Sequence, residues 1–310
     1  MQECTNEEKT GNRMQENGLF DRALIQVHRR RALAKFAPGA DFLLARAADD
    51  LEDRLATVER RFPIAVDLGG HTGLAAEAIA RSGKADDIIR IEQDPTFLRG
   101  SFKGVVADDE ALPLGPASVD LIVSLLSLQL TNDTPGALFQ IRHALKPDGL
   151  FLGAMAGGGT LGELRESLLA AEVEQIGGAS PRVAPFADVR DVGGLLQRAG
   201  FALPVTDVET FTVRYDNMFA LIADLRAMGM RNGLIGRSPR PVSRHFFLRA
   251  AEIYAERFSD PDGRIRATFS IIWMSGWAPH ASQQQPLKPG SAKASLATAL
   301  AEAEKSKKAP

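Results

Sequence analysis

From Phe62 to Met155 the sequence alternates apolar runs with helical stretches, and no other feature restricts the fold as much. The runs are FPIAVDL (62–68), IIRIE (88–92), KGVVA (103–107), VDLIVSLLSL (119–128) and LFLGAM (150–155). A helical stretch over 72–82 ends at Ser82-Gly83, and a short helix follows Pro95. Thr134-Pro135 opens another helix, which KPDG (146–149) stops. Strands that are apolar throughout must be covered on both faces, and strands alternating with helices build a parallel sheet. The expected architecture is therefore α/β, a Rossmann-like doubly wound sheet.

The flanks add helices. Residues 20–37 and 41–61 read as two helices separated by Pro38-Gly39, together an N-terminal helical lid over 20–61. Thr160 and Glu163 have capping-box spacing for a helix running to about 176, and 188–199 reads as a further helix ended by Gly200. Strand-like PVTDVETFTV and RIRATFSIIWMSGW flank two helices, 217–228 and 241–258. The expected organisation is a polar tail (1–19), the lid, and a core (62–215) completed by 262–278. A helical insertion (216–261) and a second, Lys-rich tail (279–310) make up the rest.

Composition narrows the function. A net charge of −2 gives no general attraction to nucleic acid. One cysteine, Cys4, allows neither an intrachain disulfide nor a cysteine metal cluster. No run reaches the roughly 18 apolar residues that span a bilayer, and the first residues resemble neither a secretory signal nor a mitochondrial transit peptide. The expected place is the bacterial cytoplasm, with peripheral membrane association left open. His28, His71, His143, His245 and His280 stand apart from one another, so no metal site is expected, and there is no G-x-S-x-G elbow.

The chemistry is concentrated at VDLGGHTG (66–73). A dinucleotide fingerprint beginning at Gly69 would place glycines where His71 and Leu74 stand, so that motif fails. Asp67, Gly69 and Gly73 instead form D-x-G-x-x-x-G, which resembles motif I of class I methyltransferases and implies S-adenosylmethionine (SAM) as cofactor. Glu92, ending the second strand, has two acceptor oxygens suited to a ribose diol. ADDEALPL (107–114) resembles the methyltransferase segment that takes the adenine amino group, which points to Asp108. Asp109 is counted with the cofactor candidates, although beside Glu110 it reads as a solvated or capping residue. Ser124, late in the fourth strand, stands where the methyl donor would lie. His71 replaces a glycine, and Gly70 beside it is expected to absorb the strained backbone conformation. Gly70 and His71 complete the cofactor list.

Longer segments resemble one family. FDRAL (20–24), LKPDGLFLGAM (145–155), GGTLGELRESLLAAE (158–172) and SPRVAPFADVRDVGGLLQRAGFALPVTD (180–207) are similar to the methyltransferase-like assembly factors of respiratory complex I. VRYDNMFALIADLRAMG (213–229) and LKPGSAKASLATAL (287–300) extend the likeness to both ends. The resemblance implies a SAM-binding protein of the methyltransferase class that helps mature complex I. The family's mitochondrial member is described as hydroxylating an arginine of a quinone-module subunit, so arginine modification is implied as well, and a complex I subunit as protein partner. Two other readings stand beside it: an O-methyltransferase acting on a malonylated carrier protein or small acid, and a scaffold without catalysis. For a carboxylate substrate, Arg22, Arg214 or Arg226 would supply a guanidinium fork. No catalytic residue is legible. The run Arg29-Arg30-Arg31 cannot share one helix face, which points to a broad protein-facing surface on the first helix.

Overall fold

The strand runs assemble into one seven-stranded sheet in the computed structural model, which describes residues 18–36 and 38–283. The strands are β1 (Phe62–Leu68), β2 (Ala85–Glu92), β3 (Lys103–Val106), β4 (Val119–Leu125), β5 (Leu145–Ala156), β6 (Ala202–Tyr215) and β7 (Ile265–Trp277). Their order is β3-β2-β1-β4-β5-β7-β6. All neighbours pair in parallel except β7, which runs against both β5 and β6. The chain steps from β1 outward to β2 and β3, then crosses to the other side of β1 for β4. That reversal opens a crevice at the carboxyl ends of β1 and β4, where ligands of doubly wound sheets bind.

Helices α1 (Arg22–Ala34), α2 (Phe42–Ala56), α3 (Leu74–Ser82), α4 (Thr134–Ala144), α5 (Gly162–Ile176), α6 (Val189–Arg198), α7 (Met218–Ala227) and α8 (Arg244–Phe258) complete the first of two units, Met1–Pro279. Ala65 faces a core shared with α2 and α3, whereas Val66 and Leu68 face another shared with α4 and α6. Each fully buried leucine or isoleucine in these layers contributes about 1.5–3 kcal/mol. Of the second unit, His280–Pro310, residues 280–283 are described, a turn closed by the Gln283 N–H on the His280 carbonyl. The expected tails therefore lie largely outside the described residues, as do Cys4 and the segment 287–300.

Helix starts follow local chemistry. Asp21, Asp133, Asp188, Asn217 and Ser243 each accept a main-chain N–H of the first turn. The Thr160–Glu163 capping box does not form. Helix α5 instead begins after Leu161, which takes a left-handed φ of 55°. Thr160 Oγ1 donates to the Ser270 carbonyl and accepts the Ser270 N–H, and Glu163 accepts from the Thr268 main chain at 3.2 Å and from its hydroxyl. The main chain of β7 needs those partners, and tertiary bonds to it displace the local cap.

Candidate active site

The loop after β1 works only with its glycines. Gly69 (φ 69°) and Gly73 (φ 97°) are left-handed, and a Cβ on Gly69 would sit 2.5 Å from Ser127 Oγ. A Cβ on Gly70 would lie 2.1 Å from Asp67 Oδ1. The expectation that Gly70 absorbs the strain is corrected: His71 itself takes φ 53°. Left-handed backbone costs a non-glycine residue about 1–2 kcal/mol. Two contacts offset this, the His71 N–H on Glu92 Oε1 at 2.6 Å and the imidazole stacked on Phe97 at 4.8 Å between centroids. Burial and the nearby Arg29 and Arg90 guanidiniums push the ring down to about 3, so it is neutral at ordinary pH. Its Nε2 is buried and without a partner.

Register brings the acids together. Asp67 of β1 is paired with Arg90 of β2, and Glu92 lies two residues on, on the same face. Arg90 Nε donates to Asp67 Oδ2 and Nη2 to Glu92 Oε1, each at 3.2 Å, while Nη1 donates to the Phe97 carbonyl at 2.8 Å. Burial pushes Asp67 up to about 6, opposed by Arg90 and the Ala76 N–H. Burial and then the Asp67 charge push Glu92 up to about 7, opposed by Arg29, Arg90 and the His71 amide. No described hydrogen bond uses Glu92 Oε2, and Asp67 Oδ1 lacks a partner of good geometry. Both are buried acceptors beside the crevice, which suits a ligand carrying hydroxyl and ammonium groups. Arg90 escaped the sequence reading. The signal was present as a charged residue inside the otherwise apolar strand IIRIE.

Helix α1 covers this crevice with one face. Arg22 pairs with Asp109, and also with Asp108 and Glu110 at 2.7 Å each. Gln26 Nε2 donates to Gln93 Oε1 at 2.6 Å, and Arg30 Nη1 to Asp94 Oδ2 at 3.0 Å. Arg29 is buried; desolvation lowers its pKa, with Glu92 and Asp109 as the opposing charges. The three consecutive arginines therefore do not form one outward surface. Arg29 points inward, whereas Arg30 and Arg31 are exposed, Arg30 pairing with Asp94.

The other candidates divide. The Asp108 side chain is 49% exposed and caps the Glu110 N–H, whereas Asp109 is 9% exposed and accepts from Arg22 and Gln93. Asp109 is thus the inward member of the pair, not a solvated one. Ser124 Oγ is taken by the Leu68 carbonyl at 3.0 Å and ties β4 to β1; Leu125 and Leu126 line the crevice instead. The three arginines do not converge. Arg22 is bound by its acids, Arg214 pairs with Asp260 at 2.9 Å near the end of β6, and Arg226 is exposed on α7. Among the described residues no three His, Cys, Asp or Glu side chains gather as a metal site.

A doubly wound sheet with this loop and these acids defines the Rossmann-like fold of class I methyltransferases. The methyltransferase domain family matches residues 66–153. Two solved structures share the fold: the BH2331 protein of Bacillus halodurans (TM-score 0.52, 13% identity, 74% of this chain, 98% of that one) and the YcgJ protein of Bacillus subtilis (0.53, 14%, 75% and 99%). The arginine-hydroxylase NDUFAF5 of human mitochondria is 40% identical over 284 residues, covering 90% of this chain and 82% of its own length. The Danio rerio protein of the same name is 40% identical over 263 residues (83% and 81%). A malonyl-[acyl-carrier protein] O-methyltransferase of Xylella fastidiosa is 32% identical over 276 residues (85% and 90%). The chain belongs to the methyltransferase-like complex I assembly factors, the family of NDUFAF5.

Proposed function

We propose that this chain binds SAM in the crevice between β1 and β4 and serves in the modification of an arginine on a protein partner, a subunit of respiratory complex I. The observation that carries the cofactor is the convergence of Glu92 and Asp67 on a loop whose glycines leave no room for side chains. Glu92 would accept from the ribose diol, the loop main chain would approach the methionine portion, and inward-facing Asp109, more than Asp108, would accept from the adenine amino group. SAM when bound supplies a sulfonium, a good leaving group for methyl transfer. The contribution of the chain is position and exclusion of water: α1 closes the crevice through Arg22, Gln26 and Arg30.

The arginine and the complex I partner are carried over from the relatives, and the cytoplasm of a bacterium is the compartment proposed. Among the described residues no helix is long and apolar enough to cross a membrane. The carboxyl O-methyltransferase reading gains nothing from Arg22, Arg214 or Arg226, two of which are already paired. Isothermal titration with SAM and S-adenosylhomocysteine tests the proposal, with dissociation constants expected in the micromolar range, about −8 kcal/mol. Folded protein that binds neither compound would replace it with a scaffold lacking a cofactor. Labelled SAM offered with malonylated carrier protein, giving label on the carrier, would move the assignment to carboxyl methyl transfer.

A further inference from the structure

Beyond the glycine loop lies a second cavity of about 140 Å3, sharing Leu43, Leu126, Leu130 and Met230 with the crevice. Its walls are mostly apolar, with Leu161, Leu164, Val183, Phe186, Phe269 and Ile271 among them. Dry cavities of about this size hold one six-membered ring. Two wall residues, Leu126 (φ 53°) and Leu161 (φ 55°), are left-handed leucines, the kind of strained backbone that persists where the surroundings hold a site in shape.

One polar atom in this wall is unaccounted for. Gln129 is 93% buried, its Nε2 donates to the Leu126 carbonyl at 2.8 Å, and its Oε1 has no partner. The Leu126 carbonyl can only accept, so it fixes which end of the amide it meets and leaves the acceptor for something else. A buried acceptor without a donor is destabilising, and a ligand N–H or O–H removes the penalty. Among the described residues no Asp or Glu lines the cavity. Its charged residues are Arg182, already held by Glu172 at 2.8 Å, and Arg231. A guanidinium entering here would meet two cations and no carboxylate.

We propose that this cavity anchors a phenol ring, presented by a tyrosine side chain of the modified protein, beside and not in place of the reacting arginine. A phenol is apolar, neutral at physiological pH, one ring in size, and has one O–H for Gln129 Oε1. The tyrosine source rests on the protein-partner reading above.

The test titrates the full chain, in NMR or calorimetry, with p-cresol, toluene and ethylguanidinium. In the wild type p-cresol should bind about three- to tenfold tighter than toluene, the range of one hydrogen bond. Gln129→Met should erase that preference while toluene still binds, which shows that the cavity is intact. A blocked Ala-Tyr-Ala peptide should displace p-cresol. Equal binding of the two rings, binding of neither, or displacement by ethylguanidinium would overturn the phenol site. A peptide that fails to compete would overturn the tyrosine source. Parallel titration of each variant with SAM keeps failure here distinct from failure of the cofactor reading.

Discussion

The main-chain N–H of His71 donates to Glu92 Oε1 at 2.6 Å, tying the glycine loop after β1 to the last residue of β2. The bond holds a left-handed histidine in place and aligns a carboxylate beside the crevice. Because Arg90 joins Glu92 to Asp67, loop shape and charge state form one system.

The first consequence concerns pH. Burial and Asp67 raise Glu92 from 4.5 to about 7, so the folded protein keeps a proton there that the unfolded chain releases. By linkage this group's contribution to stability declines as pH rises from about 4.5 to about 7 and is level above. A diol is best accepted by the ionised form, so SAM affinity should fall as pH drops below about 7, by up to tenfold per unit. In Glu92→Gln both slopes should flatten and SAM binding should weaken at every pH. Titrations of wild type and variant across that window check it, and an unchanged slope in the variant would assign the proton elsewhere.

Arg90 lies between two buried carboxylates, so removing it leaves like charges without compensation. Arg90→Met should lose about 3–5 kcal/mol of stability in urea denaturation. Adding Asp67→Asn should restore part of that loss, a non-additivity expected of residues in contact.

Gly70→Ala would drive a Cβ to 2.1 Å from Asp67 Oδ1. The carboxylate must move, and the expected loss is about 1–3 kcal/mol of stability together with weaker SAM binding. Gly178, whose added Cβ meets nothing within 4 Å, supplies the control: Gly178→Ala should leave both unchanged. Thermal unfolding with and without SAM reads the contrast.

Arg22 joins α1 to Asp108, Asp109 and Glu110. Arg22→Ala should speed amide hydrogen exchange across Arg22–Ala34 while β1 and β4 keep their protection, because only the lid loses its anchor. Uniform exchange across the sheet would instead mean that this ion cluster holds the whole fold.

How much was legible before folding follows from the range of each interaction. Apolar runs such as VDLIVSLLSL and caps such as Asp133 before Thr134-Pro135 act within a few residues, so sequence alone determined the parallel core, most helix starts, and the loop with Asp67, Gly69, Gly73 and Glu92. The tertiary structure decided what depends on distant partners. Thr160 and Glu163 left their capping box for β7, more than 100 residues away, because its main chain needed them. Arg22 reaches both acids, but Asp109 turned inward and Asp108 outward because Gln93 and Ser127 donate to Asp109. Ser124 spent its hydroxyl on β1, and Arg29 was drawn under the lid while Arg31 stayed in solvent. Burial and charge pairing across elements assign these side chains, and neither is written in the local pattern of residues.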